Sequence, residues 1–134
     1  MPPNEPGACH LGIGLSSAAN LNDALRLFET ILQTSDRTRP HVVSLSTLEG
    51  RRGHPVLVEL STRLSLPVTF YGAAELQEET SRLQNPSEAL YRQLGCHGVA
   101  EAACLRSAGR DASLLIGKTS LGGVTMALAG WPVP

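Results

Sequence analysis

The stretch Gly12–Ser17 (GIGLSS) carries groups that could hold an acidic ligand. Glycines let the backbone approach a ligand closely, and N–H groups and hydroxyls can bind an anion, so Gly12, Gly14 and Ser16 are candidate contacts. The spacing GxGxxS lacks the third glycine of a dinucleotide site. The alternatives are therefore an anion-binding loop and a plain strand-to-helix turn.

A second candidate is the polar segment Glu49–Gly53 (EGRRG). Within it, Arg51 presents a planar guanidinium that can hold a carboxylate through two hydrogen bonds. The alternative is a solvated loop in which Glu49 and Arg51 form a weak surface ion pair.

The run Asn85-Pro86-Ser87-Glu88 is typical of a helix start, with Asn85 as the cap, proline at the first position and glutamate at the third. A helix N-terminus with exposed N–H groups is also an anion site. In that role Ser87 is the better ligand contact, whereas Asn85 is the better cap.

Lys118 closes a strand of apolar residues, so we expect its stem to be half buried. It could bind a carboxylate or form an ion pair with Glu101, which lies among alanines in the preceding helix. His97 and Glu101 are four residues apart beside Cys96, but no third metal ligand is local. The sequence therefore predicts no metal ion and no other cofactor.

The elements that position these groups follow from the apolar pattern. Short apolar strands alternate with amphipathic helices and end in a hairpin, which predicts one α/β domain over residues 8–134 after a flexible tail, residues 1–7. The first three strands should be parallel because helices separate them, and the hairpin should make the sheet mixed. Strands are predicted at 8–14, 41–47, 66–71, 113–118 and 124–129, and helices at 21–34, 54–64, 73–83, 85–95 and 99–108, with a loop at 35–40.

In an open α/β sheet, ligands bind outside the carboxyl ends of the strands. Four segments should reach that edge: 12–17, 47–53, 71–75 and the start of the helix at Asn85. Whether Lys118 joins them depends on where the hairpin lies in the sheet.

Composition narrows the functional class. The chain of 134 residues has 11 basic and 12 acidic residues, a net charge of −1, and 4% aromatic residues. Neither a basic face nor a stacking platform for nucleic acid is indicated. Three cysteines without a CxxC pair, no signal peptide and no long apolar run predict a soluble, cytoplasmic protein with no membrane partner.

The order and spacing of several motifs resemble the CobE family of cobalamin biosynthesis, which is also found as the C-terminal half of CbiG. The motifs are the glycines after the first strand, Leu48–Arg51 after the second, Asn85–Ala89, Gly98–Ala103, and Lys118 followed by Gly123–Thr125. The resemblance runs from about Cys9 to Ala129. It implies three layers, α/β/α, a role near the ring-contraction stage and a place for Glu101 in a cleft. The family usually has basic residues after its GIG, where this chain has Leu15, Ser16, Ser17 and Ala18.

Three functions are compatible with this resemblance. The first is a protein that binds or carries a carboxylate-rich precorrin intermediate through Gly12, Gly14, Ser16, Glu49, Arg51, Asn85, Ser87, Glu101 and Lys118. The second is a hydrolase that opens the precorrin δ-lactone and releases acetaldehyde, with Glu49 or Glu101 activating water. The third is an accessory subunit whose partner is another enzyme of the pathway.

Overall fold

The structure, a computed structural model, describes residues 7–34 and 40–131. Residues 1–6 of the predicted tail and residues 35–39 of the predicted loop lie outside the described part of the chain. The last three residues, 132–134, also lie outside it. The strands are β1 (Ala8–Leu15), β2 (His41–Leu48), β3 (Val68–Tyr71), β4 (Ser113–Leu121) and β5 (Val124–Gly130). The helices are α1 (Leu21–Thr34), α2 (Pro55–Leu64), α3 (Ala73–Gln77), α4 (Glu88–Leu94) and α5 (Ala100–Ala108).

The strands of the described residues form one sheet in the order β3-β2-β1-β5-β4. Strands β1, β2 and β3 are parallel, whereas β5 is antiparallel to both β1 and β4. The predicted mixed α/β sheet is confirmed. Because the hairpin inserts β5 beside β1, it brings the β4–β5 turn to the carboxyl end of β1.

The two faces of the sheet differ in the size of their side chains. Successive residues of a strand point to opposite faces. In β1, Leu11 and Ile13 face the core formed with α1 and α2, whereas Gly12 lies beneath α5. Strand β5 repeats the pattern, since Met126 belongs to the large-residue core and Ala127 packs against α5. Small residues therefore let the alanine-rich α5 lie close to the sheet.

Several predicted boundaries were wrong. The helix predicted over 73–83 ends at Gln77 and is followed by a 3-10 turn over Thr80–Arg82. The third strand begins at Val68 rather than at residue 66, and β4 extends to Leu121 rather than to Lys118. Within the described part of the chain, no helix is long and apolar enough to cross a membrane.

Candidate functional site: a cleft at the carboxyl edge of the sheet

A cleft of about 360 Å³ lies at the carboxyl ends of β1 and β2. One wall is the end of β1 and the residues after it, and another is the β4–β5 hairpin. The first turn of α5 forms the floor, and α4 closes the remaining side. The lining residues are Gly14, Leu15, Ser16, Leu48, Arg51, Asn85, Leu90, Gln93, Leu94, Gly98, Val99, Ala100, Glu101, Lys118, Gly122, Gly123 and Thr125.

The N-terminus of α5 opens into this cleft. The first N–H groups of an α-helix have no acceptor within the helix, and they carry the positive end of its dipole. Val99 occupies the cap position and supplies no side-chain acceptor. Residues 98–101 all line the cleft. This end of the cleft therefore favours a negatively charged group.

Two cationic side chains reinforce that preference. The Nε of Arg51 donates to the carbonyl of Leu15 at 2.6 Å, which fixes the half-buried guanidinium at the end of β1. Its terminal amino groups have no acceptor among the described residues. The ammonium of Lys118 is exposed, and no carboxylate in the same residues pairs with it. The expectation that the Lys118 stem is half buried is therefore wrong. The alternative of an ion pair between the Lys118 ammonium and Glu101 is wrong as well.

Glu101 contacts Lys118 in a different way. Its carboxylate is 3% exposed and accepts four hydrogen bonds. Oε1 accepts from the N–H groups of Gln84 at 3.0 Å and Asn85 at 2.9 Å, and Oε2 accepts from Asn85 Nδ2 and Lys118 N, both at 2.8 Å. Burial is the largest influence and would raise the pKa of Glu101, but these hydrogen bonds together outweigh it and hold the pKa below its ordinary value.

The structure brings six of the nine predicted site residues to the cleft. Gly14, Ser16, Arg51, Asn85, Glu101 and Lys118 line it, whereas Gly12, Glu49 and Ser87 do not. Gly12 is buried, and a Cβ there would collide with the carbonyl oxygen of Ala100. Glu49 is exposed beyond β2 and pairs with no cation among the described residues. Residues 71–75, expected at this edge, are also absent from the lining.

The helix cap was assigned to the wrong residue. Ser87 caps α4, with its Oγ accepting from the N–H of Leu90 at 3.2 Å. Asn85 instead gives its side-chain amide to Glu101. Asn85 lies two residues before the cap position, and hydrogen bonds from its N–H and its Nδ2 to the ionised carboxylate of Glu101 hold it there.

Sequence reasoning missed the apolar side of the cleft. Leu90 and Leu94 of α4 face it, and their spacing of four residues is the signal that could have indicated one apolar, half-buried helix face. Gly122 and Gly123 of the β4–β5 turn also line the cleft. A Cβ at Gly123 would collide with the hydroxyl of Ser16, so glycine lets the hairpin lie against the loop after β1.

In residues 7–34 and 40–131, no group of three or more histidine, cysteine, aspartate or glutamate side chains is arranged to hold a metal ion. His97 stacks on Tyr91 and contacts Gln77 and Glu88. It therefore fixes α4 beside the cleft without lining it.

Fold and site together define a three-layer α/β domain with a cleft of cationic and N–H groups at the switch in strand direction. The family model described as Cobalamin synthesis G C-terminus matches residues 9–129. Protein CobE from Sinorhizobium sp is 36% identical over 120 residues, which cover 90% of this chain and 78% of that protein. The chain therefore belongs to the CobE and CbiG C-terminal family of cobalamin biosynthesis, and its predicted pathway is confirmed.

Solved structures agree with this assignment. The crystal structure of CobE superposes with a TM-score of 0.81 at 34% identity, covering 96% of this chain and 94% of the other. The cobalamin biosynthesis protein chiG from Agrobacterium tumefaciens str. C58 gives a TM-score of 0.64 at 22% identity over 92% of this chain and 98% of the other, which shows a shared fold. The Cobalt-precorrin-5A hydrolase of Priestia megaterium is 25% identical over 124 residues, but these are 92% of this chain and 32% of the hydrolase.

Proposed function

We propose that this protein binds a carboxylate-rich precorrin intermediate near the ring-contraction stage and holds or carries it between enzymes. The observation that carries this proposal is the convergence of Arg51, Lys118 and the uncapped N-terminus of α5 on one cleft. Each favours a carboxylate, and no carboxylate of the described residues pairs with Arg51 or Lys118. The acidic residue in the first turn of α5 is Glu101, whose carboxylate is occupied by hydrogen bonds from Gln84, Asn85 and Lys118.

The cleft also has an apolar lining that suits the ring. Leu90 and Leu94 of α4 are half buried there, and the more deeply buried Leu15, Leu48 and Val99 complete the lining. A macrocycle with carboxylate arms combines an apolar body with a charged rim, and the cleft presents both kinds of surface. A cleft of about 360 Å³ is smaller than such a macrocycle, so it would hold one edge and the arms on that edge.

The geometry of the cleft supports the hydrolase alternative less well than the binding proposal, because no suitable general base lies in the cleft. A general base must reach water and accept its proton. Both oxygens of Glu101 already accept hydrogen bonds and its pKa is lowered, which makes it a weak base. Glu49 lies outside the cleft, and no histidine of the described residues lines it. The chain also spans about a third of the hydrolase it resembles.

The accessory-subunit alternative would be favoured by a large exposed apolar patch. The exposed large apolar side chains of the described residues are Val58 on α2 and Tyr91 on α4. These two helices belong to opposite sides of the sheet, so the two side chains do not form one patch.

The proposal is tested by titrating the protein with the lactone-bearing precorrin, following visible absorbance and assaying acetaldehyde in the same cuvette. We expect a spectral change that saturates near one equivalent without acetaldehyde. Catalytic release of acetaldehyde would establish a hydrolase instead. If neither occurs, the binding proposal is wrong and the accessory-subunit alternative becomes the one to test.

A matched control separates the cleft from nonspecific adsorption. Arg51→Met and Lys118→Met remove charge while keeping the length of the stem, and Lys118→Met leaves its backbone N–H available to Glu101. Arg63→Met removes an exposed cation of α2 that pairs with Glu59, away from the cleft. Binding should weaken in the first two variants and stay unchanged in the third.

A further inference from the structure

We infer that Glu101 is the positioning residue of the cleft: its carboxylate ties the Gln84–Asn85 segment and the Lys118 backbone to the first turn of α5. This inference rests on the proposed function and assigns Glu101 a role different from that of ligand contact or base. The inference is based on the contacts of the Glu101 side chain, at which the Gln84–Asn85 segment, strand β4 and helix α5 meet.

The carboxylate of Glu101 joins two separate parts of the chain to α5. Gln84 and Asn85 belong to the irregular segment before α4, and Lys118 belongs to the edge strand β4. Both oxygens of Glu101 are used, one by the two backbone N–H groups of the segment and the other by Asn85 Nδ2 and Lys118 N. Hydrogen bonds to a charged acceptor are about twice as strong as neutral ones, so a single buried anion can fix all three walls.

The backbone N–H of Lys118 is available to Glu101 because the pairing of β4 with β5 is irregular at this point. The pairing of β4 with β5 shifts between Leu114 and Ile116 and again between Ile116 and Thr119. Gly117 and Lys118 therefore lie outside the regular register. An irregularity of this kind turns a residue away from the ladder. The Lys118 N–H is directed to Glu101, and its side chain emerges at the cleft.

Gly117, which precedes Lys118, lets the carboxylate of Glu101 approach β4 closely. A Cβ at Gly117 would lie 3.1 Å from Oε2 of Glu101, 3.3 Å from Asn85 Nδ2 and 2.8 Å from Oε1 of Gln84. The carboxylate thus reaches the strand because residue 117 has no side chain. Gly117 does not line the cleft, so a substitution there acts on a ligand indirectly, through Glu101, Asn85 and the Gln84 side chain.

The test uses Glu101→Gln and Gly117→Ala. The glutamine keeps the length of the side chain but presents an NH₂ group to N–H donors, whereas the alanine disturbs the same hydrogen bonds without changing charge. Gly50→Ala is the matched control because a Cβ at Gly50 meets nothing within 4 Å and this glycine has no positive φ. If Glu101→Gln fails to fold, Gly117→Ala carries the test.

The first measurement needs no ligand. In ¹H–¹⁵N spectra we expect the amide protons of Asn85 and Lys118 to move upfield in Glu101→Gln and to stay in place in Gly50→Ala. In Gly117→Ala the amide proton of Asn85 is the one to follow, because Lys118 is next to the substituted residue, and we expect it to move upfield as well. Amide positions unchanged by both variants would overturn the inference. This result concerns Glu101 alone, so it is distinct from any failure of the proposed function.

The second measurement is precorrin affinity. We expect both variants to weaken binding roughly ten-fold or more, the size of a lost hydrogen bond to a charged group. We also expect Lys118→Met to cost less in the Glu101→Gln background than in the unsubstituted protein, because the lysine is then no longer held in place. Equal affinities, or strictly additive effects, would show that Glu101 only stabilises the fold. Absence of binding by the unsubstituted protein would instead count against the proposed function.

Discussion

Gly12 of β1 lies directly beneath the carbonyl of Ala100, the first residue of α5. No side chain separates strand from helix at this point, since a Cβ on Gly12 would occupy the position of the Ala100 oxygen. The N-terminus of α5 is thereby set close to the carboxyl end of β1, which is where the cleft opens. Gly12 thus contributes to the site through packing.

Gly12→Ala should lower the free energy of unfolding by about 2–3 kcal/mol, because the added methyl meets backbone rather than a flexible side chain. Urea denaturation followed by circular dichroism measures this. Gly50→Ala is the control and should change stability by less than about 0.5 kcal/mol. Equal stability of the two variants would show that α5 shifts without cost.

Arg51→Lys should weaken precorrin binding roughly ten-fold although the positive charge is kept. Arginine uses Nε for the carbonyl of Leu15 and still has two amino groups for a carboxylate, whereas the single lysine nitrogen cannot do both. Absorbance titration measures the change. Arg52→Lys is the neighbouring control, since Arg52 stacks over Phe70 and does not line the cleft. Equal losses in both variants would show that the guanidinium of Arg51 makes no contact with the ligand that is specific to the cleft.

Ser87→Ala should destabilise the protein by about 1 kcal/mol, because the first turn of α4 loses its side-chain acceptor. Ser87→Thr keeps an acceptor and should cost less. Asn85→Ala should cost more than Ser87→Ala, since it removes a donor from the buried carboxylate of Glu101. Chemical denaturation of the three variants gives the order. A smaller cost for Asn85→Ala than for Ser87→Ala would show that the Asn85 side chain adds little to the binding of the Glu101 carboxylate.

The free energy of unfolding should depend on pH because of Glu101. Its folded-state pKa lies below the ordinary value of 4.5, so the folded protein binds fewer protons near that pH than the unfolded chain. Its stabilising contribution is complete above about pH 4.5 and is lost as the pH falls through the lowered pKa. Glu101→Gln should cost about 2–3 kcal/mol at pH 7, and the cost should shrink below pH 4.

Urea unfolding at intervals between pH 3 and pH 7 measures this difference. Glu59→Gln, on an exposed side chain of α2, is the control and should give a small difference at every pH. A cost of Glu101→Gln that does not vary with pH would show that its charge is not the stabilising feature.

The cysteines should be unreactive in the folded protein. Cys9, Cys96 and Cys104 are all buried. Burial raises the pKa of Cys96, and burial followed by the nearby charge of Glu101 raises the pKa of Cys104, so little thiolate forms at neutral pH. A thiol reagent should modify none of them within minutes at pH 8 and all three in urea. Rapid reaction of one thiol in the native state would show local opening.

The sheet could be predicted because its determinants are local. Apolar strands separated by amphipathic helices require parallel pairing, and the two glycines after Leu121 fix a hairpin. The alternation of large residues with glycine or alanine in β1 and β5 is visible in the sequence, but its meaning depends on which helix covers which face. For that reason the sequence alone did not show that Gly12 packs beneath α5 and does not line the cleft.

The sequence by itself determined the fold class and the edge of the sheet at which a cleft would form, and it offered Arg51 and Lys118 as candidate cations. These follow from periodicity and from the chemistry of single residues. Only the tertiary structure decided the roles of Asn85, Ser87 and Glu101, because each depends on competition among partners distant in the chain. Glu101 lies 16 and 17 residues from the groups that bind it, and their meeting requires the irregular register of β4 that no local pattern specifies.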